Sequence, residues 1–185
     1  MEHGTRGRQV GDTRIEVVVG DLVDQPDLDA IVNAANPQLA PGGGVAGAVH
    51  RAAGPGLAAE CRPLGPIATG SCVLTGGHDL PNAHVVHCVG PVYDRDEHAD
   101  ELLTACYRQA LALADQAELT SIGFPAISTG IYGYPVADAA EVALTAIVEV
   151  ARAGLRAIRL VRLVLVDEET WRTHAAVLDR LQPSG

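Results

Sequence analysis

Short runs rich in β-branched residues alternate with longer stretches of helical period along this chain. Residues 15–19 (IEVVV), 29–33 (DAIVN), 69–75 (TGSCVLT), 84–89 (HVVHCV), 121–124 (SIGF) and 158–166 (IRLVRLVLV) predict strands. Residues 45–61 predict a helix interrupted at Gly54-Pro55-Gly56. Residues 98–117 carry an apolar stripe through Leu102, Leu103, Cys106, Leu111, Leu113 and Ala117, one face of a second helix. A third helix starts with Pro135 in its first turn and runs to about Gly154. The last covers residues 168–181, with Asp167 placed to cap it. Strands alternating with helices predict an α/β domain whose helices cover both faces of a mostly parallel sheet. Residues 1–13 are expected to form a loose N-terminal segment, and residues 14–182 a single domain. The last few residues are expected to be loose as well.

Length and composition fit one globular domain: 185 residues, of which 48 % are apolar and 19 % charged. All 13 basic residues are arginine, which removes several chemistries. Without lysine there is no Walker-A loop, no kinase-type phosphate lysine and no lysine Schiff base. The net charge of −10, with no basic patch, argues against a nucleic-acid partner. A small anion remains acceptable if backbone N–H groups receive it. Four cysteines without C-x-x-C spacing read as reduced, mostly buried thiols of a cytoplasmic protein. The first residues lack the apolar core of a signal peptide, and no apolar run is long enough to span a membrane.

Two glycine-rich loops each follow a strand and precede a helix. They are Gly42-Gly43-Gly44 and Ser128-Thr129-Gly130-Ile131-Tyr132-Gly133. Ligands of open α/β sheets sit beyond the carboxyl ends of the strands, where helix N-termini offer unpaired N–H groups. Side by side, the two loops would cradle a diphosphate without a single cation. Gly42-x-Gly44-x-x-Gly47 formally matches a dinucleotide fingerprint. It lies eight residues past its strand, however, and no ribose-binding acid follows at the required distance. Asn36 follows the second strand and could hold sugar hydroxyls, although asparagine there also suits a plain turn. Asp21 follows the first strand and could accept from an exocyclic amine, or serve only as a loop carboxylate. His50 lies one turn beyond Ala46 on the same helical face, where a histidine is more often packed than catalytic. His84 and His87 point to opposite faces of their strand and would not chelate one metal. No H-E-x-x-H or G-x-S-x-G occurs, so neither a required metal nor a serine triad is expected.

The strings GDLV (20–23), DAIVNAANPQL (29–39), GGGVAGAVHRAAG (42–54), LPNAHVVHCVGPV (80–92) and FPAISTGIYGYP (124–135) together resemble the macrodomain family, in its MacroD-type branch. The similarity runs from about residue 16 to the helix after Asp167. It implies a three-layer α/β/α sandwich around a mixed, mostly parallel six-strand sheet, with a cleft for ADP-ribose and no cofactor. By matching motif, Asp21 would bind the adenine amine with the Leu22 backbone beside it, and Asn36 would hold the distal ribose hydroxyls. The Gly43, Gly44, Val45 and Ala46 backbone would line one side. Ser128, Thr129, Gly130 and Ile131 would wrap the diphosphate, and Tyr132 would cover the distal ribose. MacroD-type relatives remove ADP-ribose from Asp and Glu side chains and deacetylate O-acetyl-ADP-ribose. The same activity is expected here, with Asn36 and His50 as the catalytic side chains and ADP-ribosylated proteins as partners.

Two positions depart from that pattern. Ala46 stands where MacroD-type sequences carry a proposed water-activating Asp, and Val166 stands where the family often places an aromatic ring against adenine. Ala46 leaves a non-catalytic ADP-ribose reader as the alternative. A weaker third reading, removal of ADP-ribose from a nucleic-acid base, runs against the acidic charge. The oligomeric state is not legible in the sequence.

Overall fold

The computed structural model describes residues 4–181. Its elements run β1 (Arg6–Val10), β2 (Thr13–Val19), β3 (Ala30–Ala34), α1 (Gly44–Ala53), α2 (Pro55–Cys61), β4 (Cys72–Gly76), β5 (His84–Cys88), α3 (Ala99–Gln116), β6 (Ser121–Phe124), α4 (Val136–Ala153), β7 (Leu160–Leu165) and α5 (Glu168–Arg180). The strands form one sheet in the order β1-β2-β7-β6-β3-β5-β4. The five inner strands are parallel, and β1 and β4 pair antiparallel on the two edges.

The sheet therefore has seven strands, where the family resemblance implies six. The additional strand is β1, within the segment read from the sequence as loose. Arg6-Gly7-Arg8-Gln9-Val10 carries almost no apolar signal, because an exposed edge strand does not need one. It is held instead by its ladder with β2, from Arg6↔Val17 to Val10↔Thr13, and by the fork of Arg6 on Asp179. The expected loose ends otherwise fall on residues 1–3 and 182–185, outside the described residues. Pro135 is the N-cap of α4 rather than a residue of its first turn.

Two apolar cores flank the sheet, which makes the three-layer sandwich. On one face Leu103, Tyr107 and Leu111 of α3, Leu144 and Ile147 of α4, and Val177 and Leu178 of α5 pack on Val17, Ile122, Phe124 and Leu163. On the other face Val49 and Ala53 of α1 and Leu57 and Cys61 of α2 pack on Ile31, Val85 and Val164. The Asp167 carboxylate accepts from the Thr170 N–H at 2.8 Å, capping α5 as its position predicts.

The second face is not covered by helices alone. Arg162, in the middle of β7, donates to Glu16 (2.7 Å), Gln25 (2.9 Å) and both oxygens of Asp27 (2.8 Å each). Gln25 in turn donates to the Asp21 carbonyl at 2.9 Å. The largely buried guanidinium thus ties the loop after β2 to the sheet.

Candidate functional site

All five parallel strands deliver their carboxyl ends to one edge of the sheet. Gly20–Leu22 leave β2, residues 35–43 leave β3, Gly90 lies just past β5, the glycine-rich loop leaves β6 and Val166 leaves β7. These segments line a cleft in two compartments. The outer, of about 630 Å³, is lined by Asp21, Leu22, Val23, Thr129, Val166 and Asp167 among others. The inner, of about 180 Å³, is lined by Asn36, Gly42, Ala46, Gly90, Ser128, Ile131 and Tyr132 among others. Gly44, Val45, Ala126 and Gly130 line both and so form the passage between them.

The walls of that passage are backbone donors. Helix α1 begins with no side-chain cap at Gly43, so its first N–H groups are left for something else. Gly44 takes φ 57, a left-handed turn that a residue with Cβ rarely adopts, at the point where the start of α1 lines both compartments. Across the gap, Thr129, Gly133 and Tyr134 N–H groups close the loop on Ala126, Gly130 and Ser128 carbonyls. The N–H groups of Gly130, Ile131 and Tyr132 donate to no described residue. The Ser128 hydroxyl is buried in the inner compartment and also lacks a partner. No arginine lines either compartment. Any anion in the passage would therefore meet peptide N–H groups rather than side-chain cations, the form of anion site that the charge balance allows.

Asn36 is held in one orientation. Its Nδ2 donates to the Ala40 carbonyl at 2.8 Å, and its Oδ1 accepts from the Ala40 N–H at 3.0 Å. One donor hydrogen and one acceptor lone pair remain, on a side chain that lines the inner compartment. Asp21 is exposed on the rim, and its Oδ1 accepts from the Val23 N–H at 3.1 Å. Ala46 is buried at the inner wall, with only a methyl where a base would stand. Val166 and Ile131 are 82 % and 86 % exposed, so one large aliphatic side chain stands open at each end of the cleft.

Of the side chains and loops singled out from the sequence, the structure brings all but one to this cleft. The exception is His50, which lines neither compartment and is 6 % exposed. One turn farther along α1 than Ala46, it has passed under the rim. Neither ring nitrogen has a hydrogen-bond partner, and burial pushes the imidazole below its ordinary range. The structure thus sets His50 apart from Asn36, outside the lining of the cleft. Gly90 is the residue that sequence reasoning missed. A Cβ there would come within 2.3 Å of the Ser128 Oγ and 2.6 Å of Ile127, so only glycine lets the end of β5 pass under the loop. The signal was the glycine directly after a strand, read only as part of a motif string.

His50 neighbours a second buried imidazole, His87, at 6.4 Å between ring centroids. His87 contacts Asn33 (3.1 Å) and Thr75 (2.9 Å) and is pushed down to about 4, first by burial and then by His50. Burial also lowers His174. All three bind a proton less readily folded than unfolded, where the ordinary value is near 6.5. Their contribution to stability is therefore complete above pH 6.5 and is lost as pH falls toward the folded values. His87 alone should account for about 3 kcal/mol between pH 7.5 and 4. Urea unfolding across that range should show the midpoint falling steadily below pH 6.5; a flat midpoint down to pH 5 would contradict the buried neutral imidazoles.

A mostly parallel sheet whose carboxyl edge carries paired, cation-free glycine loops defines an α/β domain built to receive an anionic ligand on main-chain donors. Comparison with known proteins narrows the class. The Macro domain family profile matches residues 32–143. An O-acetyl-ADP-ribose deacetylase of Salmonella typhimurium is 46 % identical over 172 residues, 90 % of this chain and 94 % of that protein. The Oceanobacillus iheyensis macrodomain with ADP superposes with a TM-score of 0.92 at 38 % identity, covering 96 % of each chain. The Trypanosoma brucei macrodomain in complex with ADP-ribose gives 0.82 at 41 % identity, over 88 % of this chain and 68 % of that one. The chain belongs to the macrodomain family. None of its described helices is long and apolar enough to cross a membrane.

Proposed function

We propose that the protein binds ADP-ribose and hydrolyses the ester that joins its distal ribose to an aspartate or glutamate side chain, or to an acetyl group. The observation that carries this reading is the facing pair of loops with unpaired N–H groups at Gly44–Ala46 and Gly130–Tyr132, across a passage with no cation. A diphosphate fits that pattern of donors, with the adenosine toward Asp21 and the distal ribose toward Asn36. The deacetylase named among the relatives and the ADP and ADP-ribose complexes of structural neighbours support the same assignment.

Chemistry at the inner compartment then rests on placement. Asn36, locked by Ala40, orients the ribose hydroxyls. The two loops clamp the diphosphate, and its oxygens and nearby backbone groups position the attacking water. Water adds to the ester and the products are ADP-ribose and a free acid. Holding the reactants in geometry contributes a large share of such an acceleration. An ester is reactive enough that the general base missing at Ala46, typically worth 10²–10⁴-fold, need not abolish turnover. The same methyl at Ala46 favours the second reading, a module that reads ADP-ribose without turnover.

Release of ADP-ribose from a protein mono-ADP-ribosylated on glutamate separates the two readings. Thermal unfolding tests the site common to both. Free ADP-ribose at about 100 times Kd should add roughly 2.7 kcal/mol of stability, several degrees in Tm. AMP should add less, because it lacks the second phosphate and the distal ribose. An unchanged Tm in millimolar ADP-ribose would remove the assignment.

A further inference from the structure

Behind the glycine-rich loop lies a second groove, of about 660 Å³, separate from the cleft. Its lining includes Tyr93, Asp96, Asp100, Tyr134, Asp138 and Glu141, and no arginine. Two of the four carboxylates are already engaged. Asp96 accepts from the Val92 N–H at 2.7 Å, and Glu141 pairs with Arg180 at 2.9 Å. Asp100 and Asp138 make no hydrogen bond or ion pair with any described residue. They stand in the first turns of α3 and α4, where the helix dipole favours acids. That local reason explains each of them singly. It does not explain why both converge on one groove beside two tyrosines.

The tyrosines are the independent observation. Tyr93 and Tyr134 pack at 4.8 Å between centroids with their planes inclined at 52°. Tyr134 is 4 % exposed and lines the groove, and its hydroxyl makes no hydrogen bond with a described residue. Tyr134 shares the groove lining with Asp100 and Asp138, and burial, then the charges of Asp100, Tyr93 and Asp138, raise its phenol. The groove thus offers two unpaired carboxylates, an unpartnered phenol oxygen and an aromatic face. A guanidinium supplies what these lack. It has five donors and no acceptor, carries a permanent charge and stacks on aromatic rings.

The groove and the cleft share one loop. Tyr93 N–H donates to the Tyr132 carbonyl and Tyr134 N–H to the Ser128 carbonyl, each at 2.9 Å. Tyr132 and Ser128 line the inner compartment. We propose that the groove between Tyr93, Tyr134, Asp100 and Asp138 takes an arginine side chain of the ADP-ribosylated protein, near in sequence to the modified acidic residue. This rests on the proposed function, since it places that residue at the distal ribose end of the cleft. It adds a preference for acidic modification sites flanked by arginine.

The test compares two peptides mono-ADP-ribosylated on glutamate and identical except for Arg or Gln near the modified residue. The Arg peptide should show about 5-fold higher kcat/KM, the size expected of one exposed ion pair together with one cation–π contact. The preference should shrink as salt is raised. It should vanish in the Asp100→Asn/Asp138→Asn variant, whose turnover of O-acetyl-ADP-ribose should be unchanged because that substrate has no peptide. A parallel measurement needs no ADP-ribose: titration of the unmodified Arg peptide should shift the Tyr93 and Tyr134 ring resonances, and the Gln peptide should not. Equal kcat/KM for the two peptides, or a preference that survives in the double variant, would overturn the proposal. If neither peptide nor O-acetyl-ADP-ribose is hydrolysed, the hydrolase reading fails and the resonance titration decides this proposal by itself.

Discussion

Gly130→Glu is expected to abolish ADP-ribose binding in a protein that still folds. Gly130 borders both compartments, at the passage assigned to the diphosphate. It does not hold a positive φ, and a Cβ built on it meets nothing within 4 Å, so the backbone accepts a side chain there. The open space into which that side chain grows is the space of the ligand. A carboxylate about 4 Å from a phosphate oxygen costs about 4 kcal/mol at an effective dielectric constant of 20. Affinity should fall by more than about 100-fold, equivalent to roughly 2.7 kcal/mol. Calorimetric titration measures the loss, and the melting temperature without ligand reports the fold. Gly130→Gln separates bulk from charge: it should weaken binding less than Glu. Normal affinity in a folded Gly130→Glu protein would take this loop out of the phosphate site.

The second large effect concerns the rate. Asn36→Ala should lower kcat on an ADP-ribosyl-glutamate substrate by about 100-fold while changing the Kd for ADP-ribose by less than about 10-fold. Most of the affinity comes from the diphosphate clamp, whereas the ribose geometry decides attack. A loss confined to kcat marks an interaction used in the transition state. The substitution also removes both bonds to Ala40, each worth about 1 kcal/mol in an exposed loop. A matching fall in affinity would show that Asn36 serves mainly to hold the loop. Ala46→Asp is the complement. It places a carboxylate on the inner wall, and the rate should rise by about 100-fold, the lower end of general-base contributions. A fall in both rate and affinity would mean that the carboxylate repels the phosphates instead. Tight ADP-ribose binding with release seen only in Ala46→Asp would make the natural protein a reader.

Local sequence carried most of what places this cleft. Alternating apolar runs gave the inner strands and all the helices, because each buries a face whose period follows from its own geometry. Breakers at Gly54-Pro55 and the acid at Asp167 marked helix boundaries, because capping and ring closure act within a few residues. The glycine loops were legible for the same reason: a tight turn after a strand requires glycine wherever it occurs. The absence of lysine and the net charge of −10 indicated that any anion must meet backbone rather than cations.

The tertiary structure decided the rest, and in each case the missing information was a contact between distant residues. Strand β1 is polar and exposed, so only its pairing with β2 makes it a strand. His50 follows Ala46 by one turn and shares its face, yet the packing of α1 on the sheet leaves one at the cleft wall and buries the other beneath it. Gly90 is indispensable only because Ser128, 38 positions later, crosses above it. The acids that open α3 and α4 each satisfy a local helix rule. Only the approach of the two helix ends puts Asp100 and Asp138 in one groove with Tyr93 and Tyr134. Propensity and patterning act over a few residues along the chain, while burial and juxtaposition depend on which segments the sheet order brings together.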